Sequence, residues 1–140
     1  MDLAAVLNLI RKVEVDNFID SRGNLDVVEI SNELNFYVKR MYYISNVPNE
    51  ESRGGHAHKN LQQIFFAVAG SFTINVFDGE STYPILIEAH KCGYYLTNGL
   101  WRELTNFSPN AVCLVLASQH YNSDDYIFDI DEYTRWKKEQ

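Results

Sequence analysis

The sequence predicts an all-β fold, a sandwich or barrel of about eight to ten short strands with one short helix at the C-terminus. Three observations carry that expectation. Short runs rich in Val, Ile, Tyr and Phe recur along the chain, each long enough for a strand and too short for a typical helix. Glycine, asparagine, aspartate or proline punctuates them. Nine Tyr and eight Phe supply large rings for pleated, half-buried surfaces and exclude a disordered chain.

Taken in order, "MDLAAVLNLIRKVEV" reads either as a short amphipathic helix or as an opening strand. "SRGNLDVVEIS" gives a turn at Arg22-Gly23-Asn24 and then a strand. "FYVKRMYYIS" alternates, which places Val38, Arg40, Tyr42 and Ile44 on one face. "IFFAVAGSFTINVFDGES" reads as a hairpin turning at Ala69-Gly70-Ser71, with a second turn at Asp78-Gly79. "YPILIEA", "GYYLTN", "LWRELTNF" and "AVCLVLAS" add strands, with turns at Gly93, Gly99 and Ser108-Pro109. "DEYTRWKKEQ" is the helical tail. No repeat, low-complexity tract or Pro/Gly/Ser linker divides the chain, so residues 1–140 read as a single domain. Closing the sheet would also remove exposed strand edges.

The formal net charge of −7 argues against nucleic-acid binding through a broad basic surface. It leaves room for an anionic small ligand, because a few arginines in one pocket reverse the local field. The longest apolar runs fall far short of a membrane span, and the N-terminus lacks the basic-then-apolar order of a signal peptide. Cys92 and Cys113 have no CxxC spacing and read as reduced thiols. A cytoplasmic protein is the expectation, with no nucleic-acid or membrane partner.

The chemistry concentrates in "SRGGHAHKNLQQIFFAVAGSF", residues 52–72. His56 and His58 lie one residue apart and therefore point the same way on an extended chain. Histidine-x-histidine, four residues, Gln63, six residues and Gly70 resembles the first signature of the cupin barrels, in which an acid stands at the Gln63 position. "TNGLWR" sits where cupins carry Pro-x-Gly-x-x-His, with Gly99 kept and Arg102 in place of the histidine. A catalytic metal wants three or four donors with lone pairs. Arginine has none to give and a glutamine carbonyl is a poor substitute. No metal and no other cofactor is the expectation.

Imidazole titrates near neutrality, so the pair suits proton transfer, with Tyr42 on a neighbouring strand. Arg53, Arg40 and Arg102 offer bidentate, permanently charged recognition of phosphate. Two other readings stay open on these residues. One is a cupin that binds a nucleotide sugar without catalysis; the other is a metal-dependent cupin enzyme.

"KRMYYI", "SRGGHAHKNLQQ", "AGSFTINVFDG", "LWRELTNFSPNAVCLVLAS" and "YNSDDYIFDIDEY" together resemble the small cupin sugar 3,4-ketoisomerases, in family order and from about Gly23 to Tyr133. The resemblance implies a cupin-type jelly-roll β-barrel and a homodimer with exchanged N-terminal strands. It also implies a reaction without metal or nicotinamide. The keto group of a dTDP-linked 4-keto-6-deoxyhexose moves from C4 to C3 through an enediol, feeding synthesis of 3-amino-3,6-dideoxy sugars of surface polysaccharides such as O-antigen. By position, His56 and His58 would transfer protons with Tyr42 assisting. Arg53, Arg102 and Gln63 would hold the ligand, joined by Arg40, while Arg22 at an early turn would approach the sugar. Gly55, Asn35-Phe36 and Thr97–Gly99 depart from the family pattern, which leaves the exact sugar open.

Overall fold

The computed structural model describes residues 8–30, 36–48 and 50–140. Among the described residues twelve strands follow in chain order. They are β1 (Ile10–Val13), β2 (Asp16–Asp20), β3 (Gly23–Val27), β4 (Arg40–Ser45), β5 (Arg53–His58), β6 (Gln63–Ala69), β7 (Ser71–Phe77), β8 (Thr82–Glu88), β9 (Gly93–Leu96), β10 (Trp101–Thr105), β11 (Val112–Ala117) and β12 (Tyr126–Ile127). One helix, α1 (Ile130–Lys138), closes the chain. At the N-terminus both readings hold in part: Asn8 and Leu9 are helical and β1 follows directly, while residues 1–7 lie outside the described residues, as does Asn35.

Two five-stranded sheets face each other, in the orders β1-β9-β6-β11-β4 and β12-β5-β10-β7-β8, and β2 and β3 form a separate hairpin. This is a jelly-roll sandwich. Its sheets stay open where closure was expected, and the edges are guarded in other ways. β12 is only two residues long, and the edge strand β8 carries Pro84, whose missing N–H costs nothing where pairing is one-sided.

Alternation produces the core. In β7 the pattern Ser-Phe-Thr-Ile-Asn-Val-Phe buries Phe72, Ile74 and Val76. In β11, Cys113, Val115 and Ala117 face inward from the opposite sheet. Phe65, Ile87, Leu96 and Leu104 fill the space between these rows. Cys92 and Cys113 are both free thiols, and burial pushes the Cys113 thiol up to about 12.

The stretch around Gly70 is a crossover rather than a hairpin, since β6 and β7 belong to different sheets. Gly70 has φ +66, and a Cβ there would collide with Ser108 and Ala111. Ser108 Oγ in turn accepts the Ser71 N–H at 2.9 Å, so the tight bend carries the chain from one sheet to the other. Val38 precedes β4 and is exposed, so the alternating face runs only through Arg40, Tyr42 and Ile44. α1 is capped by Asp129, which accepts from Glu132 N at 2.9 Å, and has Arg135, Lys137 and Lys138 in its last turn. It docks through buried Tyr133, whose hydroxyl donates to the Gly99 carbonyl at 2.9 Å.

Candidate active site

A cavity of about 550 Å³ opens between the two sheets. Its walls come from β4 (Arg40, Tyr42), β5 (Arg53, His56), β6 (Gln63), β10 (Arg102) and the segment leading into α1 (Tyr121, Tyr126, Phe128). Among the described residues three arginines and no carboxylate line it, so an acidic protein presents a cationic pocket.

The backbone of β5 aims His56 into this space. His56 pairs with Arg102 across to β10, while the next pairing is Gly54 with Glu103, which leaves Gly55 as an unpaired bulge. Gly54 has φ +89 and Gly55 φ +69, and a Cβ on Gly54 would sit 3.1 Å from the Arg102 carbonyl. At Gly55 there is open space, so a side chain there is opposed by backbone conformation alone.

The two histidines are not equivalent. His56 lines the cavity, whereas His58 is fully buried behind it, with the two Nε2 atoms 3.1 Å apart. Behind His58, its Nδ1 lies 3.3 Å from Oδ2 of Asp125, which is itself 5 % exposed. The contact is within ion-pair distance but off hydrogen-bond alignment. Backbone and side-chain donors fix the Asp125 carboxylate: Oδ1 accepts from Asn60 N at 2.8 Å and Asn60 Nδ2 at 3.2 Å, and Oδ2 accepts from Leu61 N at 3.2 Å. Asp125, His58 and His56 thus form a row that ends at the cavity. Tyr126, opposite His58 in the β5–β12 pair, packs its ring 4.3 Å from that of His58 and 5.0 Å from that of His56.

Burial pushes His56 down to about 4, helped by the charge of Arg102 and opposed by a hydrogen bond to the Gly54 backbone. His58 is lowered further by burial, with Arg102, His56 and Arg40 adding to it. Asp125 stands on the far side of His58 from the cavity, 3.3 Å from its Nδ1. At neutral pH His56 is therefore an unprotonated base on the cavity wall.

On the other side, Arg102 is 1 % exposed. Its Nε donates to the Leu100 carbonyl at 3.1 Å, Nη1 donates to Gln63 Oε1, and Nη2 has no partner among the described residues. Burial lowers its pKa to about 10, which leaves it charged. Gln63 Nε2 donates to the Tyr42 hydroxyl at 2.9 Å. Arg40 lies over the rings of Tyr42 and Tyr121, 5.5 and 5.8 Å from their centroids, and its Nε and Nη2 find no hydrogen-bond partner among the described residues. Arg53 is exposed at the rim.

These residues do not fit a metal. The imidazole nitrogens that would ligate it bond each other, and Arg102 brings a cation where a ligand would have to stand. Among the described residues no group of three or more His, Cys, Asp or Glu side chains gathers for one.

Seven of the eight residues singled out from the sequence meet here: Arg40, Tyr42, Arg53, His56 and Gln63 with Arg102 on the walls, and His58 behind. Arg22 does not. It sits at the tip of the β2–β3 hairpin with its guanidinium held by Asp20 at 2.6 Å, and no residue of the hairpin lines the cavity of its own chain. Asp125, Tyr126, Tyr121 and Phe128 were not singled out, because an acidic-aromatic stretch near a C-terminus reads as solvated surface. The segment that holds them, "YNSDDYIFDIDEY", enters the sequence reading only through the family resemblance.

The family described as WxcM-like, C-terminal (FdtA) matches residues 9–138. The TDP-4-oxo-6-deoxy-alpha-D-glucose-3,4-oxoisomerase of Aneurinibacillus thermoaerophilus is 36% identical over 124 residues, 89% of each chain. The crystal structure of a 3,4-ketoisomerase from Helicobacter canadensis is similar at TM-score 0.85 and 37% identity, covering 92% of this chain and 97% of that one. A histidine-to-asparagine mutant of a 3,4-ketoisomerase from Thermoanaerobacterium thermosaccharolyticum, in complex with TDP-4-keto-6-deoxyglucose, gives TM-score 0.87 at 30% identity, over 94% and 95% of the two chains.

Proposed function

This chain belongs to the family of TDP-sugar 3,4-ketoisomerases, and on that premise we propose that it moves the keto group of a TDP-4-keto-6-deoxyhexose from C4 to C3 by proton transfer through His56. The observation that carries this mechanism is the row Asp125–His58–His56, ending on the wall of a cationic cavity that Tyr42 also lines.

The hydrogen on C3 is acidified by the neighbouring C4 ketone. His56, neutral at working pH, takes it as a proton while the C4 oxygen receives one from Tyr42, giving a C3=C4 enediol. His56 then returns its proton to C4, and the C3 hydroxyl gives its proton back to the Tyr42 oxygen as the C3 carbonyl forms. Atoms and charges balance, and no cofactor takes part. While His56 is charged, the buried carboxylate of Asp125 offsets the cost through His58. The unpartnered Nη2 of Arg102 is a donor for a developing enediolate oxygen. Arg53 and Arg40 hold the pyrophosphate, so binding energy far from C3 and C4 positions the reacting carbons. The product is a 3-keto sugar suited to transamination, and the chain acts as one catalytic domain in the cytoplasm.

The working form in this proposal is a homodimer with exchanged N-terminal strands. β1 pairs with β9 of its own chain, and the N-terminal element that this proposal exchanges is the β2–β3 hairpin. Its Phe18, Ile19 and Leu25 are 59, 71 and 60 % exposed, and Met41, Tyr43 and Val68 add apolar surface on the outside of the first sheet. Arg22 at the hairpin tip would then approach the partner's cavity.

The test is incubation of the protein with TDP-4-keto-6-deoxyglucose and proton NMR of the product. A 3-keto isomer supports the reading. Unchanged substrate at every protein concentration, with binding of TDP retained, would favour a non-catalytic binder instead.

A further inference from the structure

We propose that Gln63 is a positioning residue that fixes the polarity of Tyr42, committing the phenol to give its proton into the cavity, with Arg102 holding the amide in the required orientation. The inference deepens the isomerase reading and rests on it for its kinetic consequences. It follows from counting donors. A guanidinium only donates, so the Gln63 atom facing Arg102 Nη1 must be the carbonyl Oε1. The amide nitrogen is thereby turned to the other side, where it lies 2.9 Å from the Tyr42 hydroxyl. That nitrogen also only donates, so the Tyr42 oxygen accepts from it, and the phenol's own hydrogen has no place on that side. It points instead toward the space that Tyr42 lines.

The arrangement is buried and built. Gln63 is 1 % exposed, as is Arg102, so water cannot substitute for either bond. Gln63 opens β6, paired on one side with Ala117 of β11 and on the other with Leu96 of β9, so its position is set by strands on both sides. Arg102 is anchored separately by its Nε bond to the Leu100 carbonyl. The amide is therefore a relay with a direction: cation to carbonyl, amide to phenol, phenol to substrate oxygen. A carboxylate of the same shape would keep the bond to Arg102 and reverse the second one, drawing the phenol's hydrogen onto itself.

Gln63→Glu is the decisive variant. The expected result is a fall in kcat on the order of 10²-fold, the size of one general-acid contribution, with TDP affinity within about twofold of the parent. Tyr42→Phe should add little in the Gln63→Glu background, because the two changes remove the same donated proton. Full additivity, or kcat within about threefold of the parent, would overturn the proposal. A second readout needs no turnover. In fluorotyrosine-labelled protein, with the Tyr42 signal assigned by its loss in Tyr42→Phe, the phenol should ionise at a pH about one unit higher in Gln63→Glu than in the parent. An unchanged or lower ionisation pH would overturn the proposal. If the parent protein shows no isomerisation, the isomerase reading fails and the fluorine titration alone decides on Gln63. Should Gln63→Glu fail to fold, Gln63→Met serves: it too removes the donor to the phenol, and its fluorine titration is expected to move upward in the same way.

Discussion

Replacing Asp125 by Asn removes the charge behind the histidine pair while leaving a side chain of the same shape. The Asn carbonyl can still accept from Asn60 N and Asn60 Nδ2, now at 2.8 and 3.2 Å from Oδ1, so the local fold is retained. What is lost is the attraction between the carboxylate and a proton on the pair. Point charges at the 3.3 Å separation of His58 Nδ1 and Asp125 Oδ2, in an effective dielectric of about 20, give about 5 kcal/mol. That is an upper figure, because the contact is off hydrogen-bond alignment. Taken at roughly 1.5–3 kcal/mol, the range of charge-assisted contacts and below that ceiling, the loss converts to a fall in kcat of about 10- to 150-fold. Initial rates by NMR give kcat, and calorimetry gives TDP affinity, which should stay within about twofold since Asp125 does not line the cavity. Without the carboxylate the pair holds a proton less tightly, so the acid limb of kcat/KM should move to lower pH. A variant with parental kcat, an acid limb displaced upward, or a loss of TDP affinity matching the loss of rate would refute this role for Asp125.

Three further outcomes are expected. Prolonged dialysis against EDTA should leave turnover unchanged, because Arg102 stands where a metal would need a ligand; loss of activity restored by a divalent ion would contradict that. Stability should fall as the pH drops from about 6.5 toward 4: the folded His56 is depressed to about 4, so in that window the unfolded chain binds a proton that the folded one does not. Urea unfolding at pH 7.5 and 4.5 should show this slope in the parent and a shallower one in His56→Gln. Finally, light scattering should find a dimer, and Ile19→Asp with Leu25→Asp on the exposed hairpin should shift it toward monomer; a monomeric parent would remove the exchanged-hairpin proposal.

The sequence made the strand alternation legible where one face is wholly buried, as in β7 and β11. It also made the histidine pair and its arginines legible, because residue type and spacing carry that information locally. Depth was not legible. Parity puts His56 and His58 on one face of β5, but only packing against Tyr126 and Asp125 decides which of them reaches the cavity. The Gly70 turn was legible as a turn and misread as a hairpin, because turn chemistry is the same whether the next strand joins its predecessor's sheet or crosses to the other. β12 is too short to show a period, and Asp125 acts on residues more than sixty positions earlier, such as Leu61. Long-range pairing of this kind leaves no trace in a window of neighbouring residues.

His56 as the group that carries the proton between C3 and C4 is tested most directly by running the reaction in D₂O with the parent and with His56→Asn. The parent should form the 3-keto isomer, with deuterium at C4 in the fraction of turnovers in which the proton on His56 exchanges with solvent before it is returned. His56→Asn should bind TDP with near-parental affinity while turnover falls by at least about 10³-fold, toward the upper end of what one acid–base residue contributes. Isomerisation with deuterium incorporation that persists at the parental rate in His56→Asn would contradict the mechanism.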